Sequence, residues 1–399
     1  MTRIEIIAKK ITTTKTALCP SIPSSPTILA SDLKNPTTWK SSLAADFRLP
    51  GDVDFSVEGL YSRELNPVVV GNRDIYWDGT STVTLSPYDT RRSYSYYDPN
   101  YSCYVLENAG KKAYYWSITA SLRKSWDFGL ALSAAYTHSK ARAYTEGIGD
   151  QVTGAYNNYR FSVNGVNDNE LGYATYVQPN RVLLTANYTI NEGRRTNSVI
   201  SLMYEGGEVG FVGGYQFTRY SYIFAANVNN DALAPGNLIR IPASRAELDE
   251  WAFADNGTFT DEGGVKQPYT ADMQRDDFWQ FINQDSYLKN HKGEYAERGG
   301  AKMPWHHQVN FKFEQNIFFY QKNGRKHTLT VGCDVTNLAN VFSPKWGAYK
   351  EITTNTLLNY AGGKYTYNLV NGARHLTTSQ NYVNTVSAYQ CMFNVRYTF

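Results

Sequence analysis

The chain has 399 residues, 42% of them hydrophobic and 19% charged, with a net charge of +3 and a mean hydropathy of −0.47. It contains no apolar run of about 18 residues, which excludes a helical membrane protein. Its Lys and Arg are scattered, which argues against a nucleic-acid partner. Aromatic residues reach 15%, including 32 Tyr and 8 Trp. Transmembrane β-barrels carry such rings at both membrane interfaces, although a Tyr-rich soluble β-sandwich fits the same composition.

Residues 1–40 are predicted to form an irregular N-terminal segment, and 41–399 the folded part. Residues 1–23 are basic but have neither an apolar stretch nor a small-residue cleavage site. They therefore do not match a signal peptide.

Alternation of apolar and polar residues over about ten positions recurs along the chain and predicts barrel-crossing strands. Short turns, one of them Asn-Gly at 323–324, join most of these strands into hairpins. Weaker strands are expected within 214–226 and 345–370. The hairpins join 41–49 to 53–62, 113–124 to 130–139, 181–190 to 197–206 and 302–315 to 328–337, and a ninth strand is 388–399.

The two faces of these strands differ in polarity, because successive side chains of a strand point to opposite faces. The face predicted to contact lipid contains Leu184, Tyr188, Val309, Phe311, Val331, Phe393 and Val395. The face predicted to line a wet interior contains Gln308, Lys312, Asp334, Asn394 and Arg396.

Connections within hairpins are short, whereas four connections between hairpins are long and polar. Long loops on one side and tight turns on the other are typical of outer-membrane barrels, whose short turns are periplasmic. The sequence thus predicts an all-β fold, an antiparallel transmembrane β-barrel portion of about ten strands, which can stay open because the chain is expected to be only part of a barrel. The long loops, expected to be extracellular, are 63–112, 140–179, 206–303 and 338–387.

The last strand has an aromatic or apolar residue at every second position back from the C-terminus. In outer-membrane barrels such an ending is recognised by the barrel assembly machinery. The alternative is the edge strand of a soluble sheet, but an exposed apolar edge would promote aggregation. The predicted barrel-insertion signal is Tyr389, Phe393, Tyr397 and Phe399.

Several segments resemble the barrel of TonB-dependent outer-membrane transporters, most closely the Oar-like, carboxypeptidase-regulatory-domain-bearing branch of Bacteroidota. The most specific of them are YAERGGAKMPW at 295–305 and DVTNLANVFSPKWG at 334–347. The resemblance covers roughly 30–399 and implies the C-terminal part of the barrel. In that family a plug fills a 22-stranded barrel and a TonB box couples it to the inner membrane. Neither part can be matched here, so the chain is expected to lack an N-terminal region that would contact TonB.

No catalytic site, metal site or cofactor is predicted. The six His and four Cys show no metal-ligand spacing, and no GxSxG nucleophile motif occurs. His306 and His307 are adjacent, so in a strand they point to opposite faces. Two aromatic, acidic loops offer stacking surfaces for a sugar, a peptide or another small molecule, although such rings also anchor loops at membranes. The candidate ligand contacts are Tyr96, Tyr97 and Trp251.

These features predict a protein of the cell outer membrane, surrounded by lipid, that forms the wall and surface loops of a nutrient uptake barrel. An alternative is a non-transporting surface barrel that displays its loops for adhesion or matrix binding. A soluble β-sandwich lectin is a third possibility.

Overall fold

The computed structural model describes residues 25–145, 151–158, 160–231, 236–321 and 325–399. Its main feature is an antiparallel meander in which each long strand pairs with the next one along the chain. The all-β fold, the four hairpins and the terminal strand are thereby confirmed. The nine strands are β1 (Thr38–Leu49), β2 (Val53–Glu64), β3 (Tyr114–Ser125), β4 (Leu130–Ala143), β5 (Asn180–Asn191), β6 (Thr196–Glu208), β7 (Trp305–Tyr320), β8 (Lys326–Thr336) and β9 (Gln390–Thr398).

A tenth, two-residue strand, Gly172–Tyr173, extends this sheet beside the end of β4. The weaker strands expected within 214–226 and 345–370 do exist, but they belong to smaller sheets outside the meander. Their short lengths explain the difference, since a strand of two to six residues cannot span the same sheet as strands of nine to sixteen.

Glycine fixes the turn between β3 and β4. Gly129 has φ +100°, and a Cβ atom there would lie 2.2 Å from the carbonyl oxygen of Thr189 on β5. Because any larger residue would collide with the neighbouring strand, only glycine lets β4 and β5 stay in register at this turn.

The sheet is open. β1 and β9 form its two outer edges, and within the described residues neither pairs with the other or with a further strand. No helix among the described residues is both long and apolar enough to span a membrane.

The four long connections begin and end within four residues of their predicted bounds. They fold together with Thr27–Leu29 into a body at one end of the sheet, which we call the cap: the described residues of 25–37, 65–113, 144–179, 209–304 and 337–389. Its other strands are Val68–Asn72, Ile75–Tyr76, Thr82–Ser86, Asp89–Arg92, Ser95–Tyr96, Tyr104–Asn108, Gly210–Val212, Tyr215–Phe217, Arg219–Tyr220, Ile223–Phe224, Thr258–Thr260, Lys266–Pro268, Ala301–Lys302, Lys350–Ile352, Thr356–Ala361, Lys364–Tyr367 and Ser379–Asn381.

Four short helices and three 3₁₀ turns also belong to the cap. The longest, α3 (Ala271–Gln284), begins after Thr270, whose hydroxyl oxygen accepts a hydrogen bond from the Met273 amide. It buries Phe278, Phe281 and Ile282 on one side. The helices are α1 (Val152–Asn157), α2 (Arg245–Asp249), α3 (Ala271–Gln284) and α4 (Leu338–Phe342), and the 3₁₀ turns are Val166–Asp168, Leu288–Asn290 and Thr385–Ser387.

The cap has a hydrophobic core of its own, which the sequence did not lead us to expect. Three connections that are distant in the chain contribute to it, from Leu85 in the first to Tyr367 in the last. Trp251 stacks on Tyr365 with ring centroids 4.8 Å apart, and both rings are fully buried. Thr27–Leu29 belongs to this body through its pairing with Tyr104–Asn108, so the predicted irregular segment 1–40 contains at least one ordered strand.

Candidate functional site

One face of the meander is apolar in every strand. Strand register places Leu184 opposite Tyr204, and Tyr204 opposite Val309. Paired residues of neighbouring strands point to the same face, so the predicted lipid-facing residues share one surface, the apolar face. Its members include Leu43, Val57, Ile118, Leu122, Leu184, Tyr188, Leu202, Val309, Phe311, Val331, Phe393 and Val395.

This apolar face is uncovered. Leu43 and Phe393 are each 80% exposed, and Val395 is 72% exposed. Soluble monomers rarely expose contiguous apolar patches larger than a few hundred Å². The apolar face instead crosses all nine strands, an extent that is unusual for a surface in contact with water.

Two rows of aromatic rings border the apolar face. In the row beside the cap, Trp39 contacts Tyr61 with centroids 5.9 Å apart. In the row beside the turns, Phe47 stacks on Phe55 at 6.0 Å. The cap-side row is Trp39, Tyr61, Trp116, Tyr136, Tyr204 and Trp305, and the turn-side row is Phe47, Phe55, Trp126, Phe128, Tyr188, Phe319 and Tyr397.

The band between the rows carries mainly Leu, Ile, Val and Ala. Along β1, Trp39 and Phe47 are separated by about 26 Å at about 3.3 Å per residue. This length is close to the apolar band of about 25 Å that outer-membrane barrels present to lipid, before any strand tilt shortens it. The band also contains a hollow of about 590 Å³ where Ala134 and Ala186 stand among larger side chains such as Leu122 and Leu202. Such a hollow can accept an alkyl chain.

The opposite, polar face is joined by side-chain hydrogen bonds between strands. Asn316 donates to Asn197 at 2.9 Å, and Thr330 donates to Asn316 at 2.6 Å. Asn394 donates to Asp334 at 3.0 Å. The residues predicted to line an aqueous interior all lie on this face: Gln308, Lys312, Asp334, Asn394 and Arg396.

The four residues of the predicted insertion signal lie on or beside the edge strand β9. Phe393 and Phe399 are 80% and 91% exposed. The Tyr397 hydroxyl is 2.7 Å from Nδ1 of His327 on β8. Tyr389 lies just before the strand, where its amide donates to Asn340 at 3.2 Å. This places exposed rings along a strand that has an unpaired edge.

The three candidate ligand contacts have different environments. Tyr97 is 71% exposed and stacks on Tyr76 with centroids 4.3 Å apart, and Tyr96 beside it is half-buried. Trp251 is only 1% exposed. The prediction of a ligand contact at Trp251 therefore does not fit its position in the cap core, where the ring has almost no accessible surface.

The cap contains a fully buried ion pair, a feature that the sequence did not indicate. Asp89 and Arg91 are both fully buried and form two hydrogen bonds of 2.8 Å. Arg91 also donates to the Leu238 carbonyl at 2.7 Å, and the Tyr295 hydroxyl donates to Asp89 at 3.0 Å. Burial, together with the Asp89 carboxylate, raises the pKa of Tyr295 to about 12. Tyr295 therefore remains a donor at neutral pH and helps to stabilise the buried carboxylate.

A second buried carboxylate, Asp285, has donors on both oxygens. The Tyr222 hydroxyl and Thr378 donate to Oδ2 at 2.7 and 2.8 Å. The amides of Tyr287 and Leu288 donate to Oδ1 at 2.9 and 2.8 Å. A carboxylate whose two oxygens both accept hydrogen bonds can be buried in the cap, because these bonds offset the cost of removing it from water.

His306 and His307 point to opposite faces, as their adjacency in the sequence predicts. Nε2 of His306 lies 3.0 Å from the Gly347 carbonyl oxygen, whereas Nδ1 of His307 lies 2.7 Å from the Tyr204 hydroxyl. In the part of the chain that the structure describes, no three His, Cys, Asp or Glu side chains are grouped to hold a metal ion.

A function can thus be inferred from four features: the two faces of opposite polarity, the two aromatic rows, the two open edges and the packed cap. Comparison with known proteins identifies no family, since no family model, no curated protein and no solved structure matches this chain.

Proposed function

We propose that this chain is part of the wall of an outer-membrane β-barrel that takes up a nutrient, with the cap on the outside of the cell. The observation that carries the proposal is the continuous apolar face bordered by two aromatic rows, opposite a hydrogen-bonded polar face. Outer-membrane barrels have an apolar outer band with aromatic girdles and a polar interior. In this arrangement lipid covers Leu184 and Val395, and water fills the side of Lys312 and Asp334.

The two edges of the sheet support closure with further strands. Long exposed edges promote aggregation unless they are paired or covered. Because nine strands alternate in direction, β1 and β9 run the same way. An antiparallel closed barrel therefore requires an odd number of additional strands between them. A second copy of the sheet rotated about the barrel axis would instead place β9 beside β1 in parallel.

The uptake role rests on the resemblance to TonB-dependent transporters of the Oar-like branch and on the polar face. In this proposal the cap supplies the surface loops. The plug and the segment that contacts TonB are parts of the family that cannot be matched in this sequence. The exposed Tyr97 is the member of the predicted ligand contacts that remains available to a sugar, a peptide or another small molecule.

Surface display is the second candidate function, and the buried core of the cap favours it, because a rigid cap can serve as an adhesion surface. The two functions differ in energy-coupled uptake. If the barrel imports a nutrient, cells that make the protein should accumulate at least one of a panel of labelled oligosaccharides and peptides that cells without it do not, and a protonophore should abolish the difference; if the barrel only displays the cap, the two kinds of cell should not differ.

Two epitope tags test the membrane arrangement. Gly79 in the cap and Gly193 in the β5–β6 turn are both exposed glycines with open space around them, so either site tolerates an insertion. Antibody should label the Gly79 tag on intact cells, and the Gly193 tag only after the outer membrane is permeabilised. Equal labelling of both tags on intact cells would contradict the proposal, as would recovery of the tagged chains in the soluble fraction.

The terminal aromatic residue provides a test of the insertion signal. Changing Phe399 to Ala should slow assembly into the membrane while leaving the urea midpoint of the assembled protein almost unchanged. At 91% exposure the ring has few contacts to lose, so its main contribution is to the aromatic edge that the assembly machinery recognises. Pulse-chase of membrane insertion is the measurement, with Thr398→Ala as the control from the polar face. Insertion of the Phe399→Ala variant at the normal rate would contradict the proposed insertion signal.

A further inference from the structure

Two cysteines that are distant in the sequence meet on the apolar face. Cys333 of β8 and Cys391 of β9 are 58 residues apart, yet their Sγ atoms lie 3.7 Å from each other. Register pairs Val335 with Cys391 and Cys333 with Phe393, so the two thiols are diagonal neighbours on adjacent strands. A cysteine inside a strand pattern usually acts as a small hydrophobic residue, so the sequence gives no sign of this contact.

We propose that Cys333 and Cys391 form a disulfide bond that cross-links the terminal strand β9 to β8. A disulfide needs an S–S distance of about 2.05 Å, so the sulfur atoms have to approach by about 1.7 Å. Because the pair is diagonal, rotation about the Cα–Cβ bonds has to be accompanied by a small shift of the backbone. The edge strand β9 can make this shift, since among the described residues only one of its sides is paired. Among the described residues no third His, Cys, Asp or Glu is grouped with the two thiols to hold a metal ion, so we favour a disulfide over a shared metal ion.

The chemistry is a two-electron oxidation. The two thiols lose two protons and two electrons, one S–S bond forms between them, and a disulfide-bearing oxidant is reduced to two thiols. The attack proceeds through a mixed disulfide, which the second cysteine then resolves. Exported proteins meet oxidants of this class, whereas the cytosol keeps thiols reduced.

The bridge would secure an edge strand of the sheet. Among the residues that the structure describes, β9 pairs only with β8, and its other edge is open. Between the two cysteines the chain leaves the sheet and passes through the cap before it returns. Its members of the cap core lie between Ile352 and Tyr367. The disulfide would therefore close this excursion into a loop and hold β9 in register while it pairs with a further strand. The geometry of the thiols does not depend on the membrane location, whereas the oxidant rests on the proposed function, which requires export of the chain.

Thiol counting on the full chain tests the proposal. With Cys19 and Cys103 changed to Ser, only the proposed pair remains. Protein prepared without reductant should accept no maleimide-polyethylene glycol, and after dithiothreitol it should accept two. Two additions before reduction, even after incubation with oxidised glutathione, would overturn the proposal, as would a dimer on a non-reducing gel. The Cys391→Ser variant is the control and should accept one in both conditions.

Hydrogen exchange then measures what the bridge does, in wild-type protein without any variant that could misfold. Oxidation should slow exchange of the β9 amides by about tenfold or more, because local opening of the strand is restrained. The amides of β1, the opposite edge of the same sheet, serve as the internal control and should not change. Equal exchange of β9 in the oxidised and reduced protein would overturn the claim that the cross-link holds the strand.

Discussion

Val395→Arg is expected to lower the free energy of unfolding, by about 2–4 kcal/mol if its site lies near the bilayer midplane and by less if it lies closer to the turn-side aromatic row. Val395 lies on the apolar face opposite Val331 and is 72% exposed. In lipid the guanidinium would lose its hydration without gaining a partner. The measurement is the urea unfolding of the protein in lipid vesicles.

The matched control is the neighbouring residue. Asn394 lies on the polar face beside Asp334, to which it donates a hydrogen bond of 3.0 Å. Asn394→Arg should change the free energy by less than about 1 kcal/mol, because a wet interior tolerates charge and an exposed ion pair adds little. Equal losses from both variants would refute the assignment of the faces, and a loss from Asn394→Arg alone would reverse it.

Arg91→Met is expected to destabilise the cap by about 3–5 kcal/mol, because it leaves a buried carboxylate without its partner. Asp89 and Arg91 have no exposed side-chain surface, and the Tyr295 hydroxyl alone cannot replace two charged hydrogen bonds. Hydrogen exchange of the cap amides gives the free energy of its opening. The long strands should keep their protection, since this pair lies within the cap.

Arg92 provides the comparison for Arg91. It is the next residue, and its ion pair with Asp168 at 2.6 Å is about one third exposed on both sides. Arg92→Met should therefore cost less than about 1 kcal/mol. Replacing Asp89 and Arg91 together by Leu and Met should recover most of the loss, because no buried charge remains. If the double variant is as unstable as Arg91→Met, packing rather than the unpaired charge explains the effect.

The meander could be predicted because each of its strands carries its own signal. In β9 the alternation of Phe393, Val395 and Tyr397 with polar residues has the period of a strand, and the same holds for β5. Register between the strands then follows from the turns. The positions of the faces were predictable for this reason, whereas lipid contact is a further proposal.

The cap could not be predicted in the same way, because its core depends on contacts between distant segments. Trp251 and Tyr365 stack although more than a hundred residues separate them in the chain. Trp251 lies in a polar, acidic stretch, so its sequence context suggested an exposed ring. One element of the cap did leave a local signal. Thr270 is a typical N-terminal capping residue of a helix, and Phe278, Phe281 and Ile282 after it have the spacing of an amphipathic helix.

The composition of the cap core has a consequence for the order of folding. Its first member along the chain is Leu85 and its last is Tyr367, so the core is incomplete until nearly the whole chain is present. Closing contacts over such separations is slow, since the loop entropy is lost before the contacts form. The cap should therefore acquire protease resistance late, after hairpins such as β1–β2 and β3–β4, which need only local contacts. Until then its aromatic side chains remain exposed, and a chaperone that shields them would protect the incomplete chain from aggregation.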